Sequence, residues 1–310
     1  MENKNSSVAK ESEYKDQYTA AFLKNGLIRG ITYQIKILTW VTWKMLSKKD
    51  AEWWLGTEVR DARGFHDLVL RYVNNAADEN GKTSDKKYMY RFVQIKHMTC
   101  LTGGTKIDLR RLLSTDKEYC QYSLIYLFKS YMHMIDRFEK ITPEQIVDMT
   151  VFTNRDINTS LKFLVPVKRD EIFDFEEKGK RYRFDLDILR KTPNVIIERL
   201  RAMSRNDETR VWSFLSKLVF AVGQPSEPEL EKLITKNMGM IFNTPQIFYN
   251  DLFKHVMDWF LILEEGNAPY LTEEYIKKHL KKMVDMLLAE KKSDTSFTAD
   301  SLSLSNLSLT

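Results

Sequence analysis

The eleven residues from Tyr88 to Met98 (YMYRFVQIKHM) constrain this chain more than any other stretch. They alternate as a β-strand does, and a strand sends successive side chains to opposite faces. Gln94 and Lys96 therefore share one face, while Val93 and Ile95 enter the layer on the other. A lysine two residues from an amide, on a strand otherwise made of Phe, Val and Ile, serves no packing need. Asp67 has the same character, because it interrupts the apolar run Phe65…Leu68-Val69-Leu70.

The segments around this strand set its context. From Tyr18 to Ser47, Ile28, Ile31, Ile35, Leu38, Thr42 and Met45 recur at helical steps. Two strand-like runs follow, Glu52 to Arg60 and Phe65 to Val73. The polar loop Ala76 to Lys87, with its Asn80-Gly81 turn signal, leads into Tyr88. Asp116 to Lys140 is helical in period, and Val147 to Thr153 reads as a fourth strand. The order α-β-β-β-α-β ends in a strand–helix–strand unit, which predicts a parallel pair joined by a right-handed crossover.

Beyond this core, Leu161 to Val167 and Arg181 to Phe184 read as short strands. Val195 to Ser204, Trp212 to Val222, Glu227 to Asn237, Asn250 to Glu264 and Thr272 to Lys291 read as helices. The expected organisation is a polar, disordered segment 1–17, an α/β domain over 18–170, a mainly helical extension over 171–291 and a Ser-rich disordered tail over 292–310.

If the second and third strands pair as a hairpin, Asp67 lies beside Gln94 and Lys96, and Glu58 reaches the same point from the end of the first strand. Two carboxylates and an amide can hold Mg²⁺ or Mn²⁺ through oxygen. Such an ion polarises a phosphoryl group and acidifies bound water, and a neighbouring ammonium offsets charge developing on phosphorus. The chemistry that needs this set is phosphodiester hydrolysis. The plain alternative is a structural Asp67–Lys96 ion pair at a sheet edge.

The α-β-β-β-α-β order, a lone aspartate and a Gln-x-Lys on the following strand resemble the PD-(D/E)xK, or restriction-endonuclease-like, nuclease superfamily. Gln94-Ile95-Lys96 is similar to its Mrr-type branch, in which glutamine often replaces the second acid. Thr57-Glu58, Asp67-Leu68-Val69, Val93 to His97, Ser123 to Tyr131, Phe152-Thr153-Asn154 and Phe220 to Pro225 resemble uncharacterised arthropod proteins carrying this module. The resemblance implies a restriction-endonuclease-like core with Asp67 as principal metal ligand. It also implies Gln94 as the second ligand, Lys96 as the catalytic lysine and Glu58 as an auxiliary ligand. The chain departs from the pattern in having His66, not proline, before Asp67.

Nucleic acid, DNA favoured, is the expected partner, and a homodimer is possible for this fold. Residues 82–117 hold nine Lys/Arg against three Asp, an excess larger than the net +5 of the whole chain. Lys86, Lys87, His97, Arg110 and Arg111 are the candidate backbone-contacting residues. Cys100 and Cys120 have no zinc-type spacing. With no secretory signal and no long apolar run, the expectation is an intracellular protein, cytoplasmic or nuclear, with no membrane partner. GxSxG, phosphate-loop and dinucleotide signatures are absent from the sequence. The rival to an enzyme is an inactive nuclease-like module that binds nucleic acid or protein as an adaptor or sensor.

Overall fold

The computed structural model describes residues 28–48, 51–74, 87–98, 106–116, 122–138, 141–191, 194–262 and 270–293. The expected terminal segment 1–17, nearly all of the Ser-rich tail, Lys86 and both cysteines lie outside these residues.

Helix α1 (Arg29–Leu46) buries almost its whole circumference from Ile35 onward, polar Lys36, Thr39 and Thr42 included. Two devices make this tolerable for Thr39 and Lys36. Thr39 donates back to the Ile35 carbonyl at 2.8 Å, and Lys36 meets Glu227 at 2.5 Å and Glu231 at 3.0 Å. Strands β1 (Trp53–Gly56), β2 (Leu68–Asn74) and β3 (Lys87–Lys96) form an antiparallel meander. After the short helix α2 (Leu109–Leu113) and helix α3 (Leu124–Arg137), β4 (Ile146–Thr153) returns parallel to β3, as the sequence predicts.

The same sheet continues through β5 (Leu164–Val167), β6 (Lys180–Phe184), β7 (Leu218–Val222) and β8 (Leu271–Thr272), in the order β5-β6-β7-β4-β3-β2-β1-β8. Helices α4 (Leu186–Lys191), α5 (Val195–Met203) and α6 (Glu208–Lys217) precede β7. Helices α7 (Glu227–Met238), α8 (Pro245–Phe260) and α9 (Glu273–Ser293) follow it. The fold is a three-layer α/β sandwich with a helical C-terminal part. One core packs Leu68, Leu70, Val93, Ile95 and Phe152 against α1, α7 and α8. The other packs Val69, Phe92, Val151 and Phe220 against α3, α5 and α6.

Two expectations need correction. Trp212 to Val222 is not one helix, since α6 ends at Lys217 and Leu218–Val222 is a strand parallel to β4. A continuous apolar run buried on both faces carries no period that separates helix from strand. The expected division between residues 170 and 171 also crosses a single sheet, because β6, β7 and β8 join the strands of the N-terminal part.

Candidate metal centre

The hairpin register places the centre. Leu68 pairs with Val93 in the antiparallel β2–β3 ladder, so Asp67 stands opposite Gln94 at the end of β2. Asp67 is 6% exposed and Gln94 3%. The Asp67 Oδ2 atom accepts from the Ile95 backbone N–H at 2.6 Å and from the Gln94 amide nitrogen. Lys96, half-buried, lies two residues along on the same face as Gln94.

Glu58 arrives differently from the expectation. Strand β1 stops at Gly56, and Glu58 follows with φ 51°, a left-handed conformation uncommon for a residue with a Cβ. The chain then makes a 3-10 turn over Arg60–Phe65, in which Arg63 has φ 44°. The loop closes where the Val59 N–H donates to the His66 carbonyl at 3.3 Å. Gly64 lets this turn lie directly on α3, since a Cβ there would meet Ser130 Oγ at 2.6 Å. Strain of this kind persists only where the surroundings over-determine the backbone, and here it turns Glu58 and His66 toward Asp67.

His66 Nδ1 lies 3.0 Å from Glu58 Oε2 and 3.2 Å from Asp67 Oδ1. Neither approach has the angle of a good hydrogen bond, so Nδ1 is buried without a well-formed partner. One ligand atom from each of Glu58, His66 and Asp67 lies within 4.8 Å of the others. Oxygen ligands of a small divalent ion sit about 2.0–2.6 Å from it, so atoms this close can share one ion with little movement. Two carboxylates, the His66 ring nitrogen in its neutral form and the Gln94 amide oxygen form a suitable donor set. Gln94 turns its nitrogen toward Asp67, and a half-rotation of the amide would present its oxygen.

The electrostatics follow from burial and neighbours. Burial pushes the Asp67 pKa above its usual value, opposed by Lys96, His66 and the Ile95 N–H. For Glu58 burial acts the same way, but the close His66 ring nitrogen, the Gln34 hydrogen bond and the nearby charges outweigh it and hold the carboxyl below its usual value. Burial disfavours the His66 imidazolium, yet Glu58 and Asp67 overcome that and raise its pKa.

Sequence reasoning assigned no site role to three supporting residues. Gln34 on α1 donates to Thr57 Oγ1 at 3.2 Å, Glu58 Oε1 at 2.9 Å and the Asp67 carbonyl at 3.1 Å. It thereby ties the loop to the end of β2. Its only sequence signal is an amide between the core residues Tyr33 and Ile35. His66 entered as a departure from the family pattern. Asn154, just past β4, accepts from the Met98 N–H at 2.9 Å and donates to the Met98 carbonyl at 2.8 Å. This clamps the strand two residues beyond Lys96. Asn154→Ala should cost about 1–3 kcal/mol, the penalty for stranding buried polar groups. Hydrogen exchange at the Met98 amide should accelerate by about tenfold or more, and unchanged exchange would refute the clamp.

The candidate nucleic-acid contacts are dispersed. Lys87 begins β3 and Lys96 ends it, so about 30 Å of strand separates them, and Lys87 does not flank the centre. His97 turns to the opposite face, where it stacks on Tyr33 at 4.4 Å, and burial lowers its pKa. Arg91, counted in the basic stretch, is 5% exposed and held by aspartates. Arg110 and Arg111 lie on α2, beside the segment that leaves β4.

The fold and this cluster define an α/β sandwich with a candidate metal centre at the C-terminal end of β3. No family model matches the chain, and no curated protein matches it. Among solved structures, the chain is similar to the Moraxella osloensis Cap4 SAVED/CARF-domain containing receptor at 8% identity and a TM-score of 0.36. That likeness covers 82% of this chain and 48% of the receptor's, so the chain spans about half the receptor's length. None of the described helices is long and apolar enough to cross a membrane.

Proposed function

We propose that the protein is a metal-dependent nuclease of the PD-(D/E)xK type that hydrolyses phosphodiester bonds, DNA favoured, at the Glu58/Asp67/Gln94/Lys96 centre. The observation that carries this reading is the convergence of Glu58, His66 and Asp67 ligand atoms within 4.8 Å, on the strand face that carries Lys96. Asp67 and Glu58 would hold the ion, with the Gln94 amide oxygen as a further ligand. When bound, Mg²⁺ or Mn²⁺ supplies Lewis acidity toward a phosphoryl oxygen and an acidified water. Lys96 Nζ orients the attacking water and balances charge gathering on the phosphoryl oxygens. His66 Nδ1 holds the carboxylates at their spacing, and the buried walls of the centre strengthen each of these interactions.

One observation favours the rival reading of an inactive nucleic-acid-binding module. The Gln94 amide donates its nitrogen to Asp67, which satisfies that carboxylate without an ion. Supercoiled plasmid with Mg²⁺ or Mn²⁺, against EDTA, separates the two. Metal-dependent nicking that falls about 10²–10³-fold in Lys96→Ala is the expected result. A folded wild type that cleaves neither DNA nor RNA, single- or double-stranded, would sink the nuclease reading.

A further inference from the structure

We propose that His66 is a direct nitrogen ligand that sets the identity of the ion, so that the centre takes a first-row transition-metal ion (Mn²⁺ to Zn²⁺) in preference to Mg²⁺. The inference rests on the metal centre of the reading above, and not on the cleavage of any substrate.

The donor atoms divide into an outer and an inner set. Of the two Asp67 oxygens, Oδ2 is occupied by the Ile95 N–H at 2.6 Å and by the Gln94 amide nitrogen, while Oδ1 lies 3.2 Å from His66 Nδ1. Glu58 divides in the same way. Its Oε1 accepts from the Gln34 amide nitrogen at 2.9 Å, and its Oε2 lies 3.0 Å from the same Nδ1. Each carboxylate thus has one oxygen fixed from outside and the other turned to one nitrogen. Outer partners of this kind orient ligands and tighten their hold on an ion.

Nδ1 is the atom of the cluster whose bonding is unmet. It is buried, and it has no well-formed hydrogen bond among the described residues. Buried polar atoms are nearly always paired, and an exception calls for a cause such as an ion. The ring is held in this position by its backbone. The His66 N–H donates to the Arg63 carbonyl at 3.1 Å, and the His66 carbonyl accepts from the Val59 N–H at 3.3 Å. The Thr57 hydroxyl donates to the adjoining Asp67 carbonyl at 3.0 Å, which closes the loop from the other side.

The spacing fits six-coordination. Two ligands at right angles about an ion, each about 2.1 Å from it, lie about 3.0 Å apart. The two separations from Nδ1, 3.0 Å and 3.2 Å, are close to that value. Without an ion Nδ1 only spaces the carboxylates; with one it becomes a donor beside each of them. The donor type then decides the ion. Mg²⁺ is hard, takes oxygen ligands and gives up its waters reluctantly. An imidazole nitrogen suits the first-row transition ions better. The same centre built from oxygen donors alone would lack that preference.

The test is metal binding by the full chain with no nucleic acid present. Chelator-treated protein is titrated calorimetrically with Mg²⁺, Mn²⁺ and Co²⁺, as wild type, His66→Asn and His66→Ala. The Mn²⁺-loaded samples are then read by pulsed electron paramagnetic resonance for modulation from a directly bound nitrogen nucleus. Wild type should bind Mn²⁺ and Co²⁺ at least about tenfold more tightly than Mg²⁺, and should show the nitrogen modulation. His66→Asn offers an amide oxygen in place of the ring nitrogen. It should weaken Mn²⁺ and Co²⁺ by about 10–100-fold, change Mg²⁺ by no more than about threefold and lose the modulation. His66→Ala should lose it too and serves if the Asn variant folds poorly, as melting in EDTA will show. Equal affinity of wild type for Mg²⁺ and Mn²⁺, or modulation that survives both substitutions, would overturn the inference and leave a nuclease that works through oxygen ligands. Failure of all three ions to bind would overturn it as well. Selective Mn²⁺ binding through His66 in a protein that cleaves no nucleic acid would sustain it and remove only the nuclease reading.

Discussion

Asp67→Asn should abolish metal-dependent cleavage, with a loss of at least about 10³-fold, and should leave the fold intact. Charge-stabilising groups at a reacting centre are each worth about 10²–10³ in rate, and Asp67 is both the most buried carboxylate of the cluster and the one facing Gln94 and Lys96. Asparagine keeps the shape and one acceptor for the Ile95 N–H, which Asp67 now meets at 2.6 Å. It also removes a charge whose burial is unfavourable. Thermal stability in EDTA should therefore stay near or slightly above wild type. Millimolar Mn²⁺ should raise the melting temperature of wild type by mass action and leave Asp67→Asn unmoved. Cleavage at the wild-type rate by the variant would exclude Asp67 as a ligand. A large fall in melting temperature would show that its carboxylate serves folding.

The second large effect lies on the opposite face of the same strands. Arg91 on β3 meets Asp148 on β4 at 2.5 Å and Asp170 at 2.6 Å. Arg181 on β6 meets Asp174 at 3.0 Å, lies 3.5 Å from Asp148, and donates to Thr150 Oγ1 at 3.2 Å. Arg91, Asp148 and Arg181 are each at most 5% exposed. Removing one partner from such a network leaves a charge buried without compensation, at a cost of about 3–5 kcal/mol. Asp148→Ala should accordingly lower the melting temperature by roughly 6–20 °C. A drop of only a degree or two would mean that the arginines find water or new partners. The pH dependence has a definite sign. The Asp170 carboxyl is half-buried, which pushes it up, but Arg91 and then Arg181 hold it down to about 2, below its ordinary 3.8. Its contribution is present above the ordinary value and is lost as pH falls toward about 2. Asp170→Asn should flatten the acid limb of a stability–pH curve in that window.

The network also shows why counting charges misled. Arg91 contributes to the basic excess of residues 82–117, yet it is a core residue whose charge is spent on aspartates more than fifty positions away. Lys87 contributes as well, but a ten-residue strand carries it to the far end of the sheet. Charge summed along a chain ignores the direction in which a strand runs.

What the sequence determined by itself was local and periodic. Alternation along Tyr88 to Met98 placed Gln94 and Lys96 on one face of β3, and Val93 and Ile95 do enter the opposite core. The hairpin expectation put Asp67 beside Gln94, and the β2–β3 register does so. The strand–helix–strand order foretold the parallel return of β4. Such features are legible because a period of two, or one of 3.6, is written into neighbouring residues. Tertiary structure decided the rest. It made Leu218–Val222 a central strand, since burial on both faces erases the period. It bent the chain through Glu58 and Arg63 at positive φ to bring His66 between two carboxylates. It also set Gln34, about thirty residues away, under the same loop. Contacts between segments distant in sequence depend on how layers stack, and no local pattern encodes that.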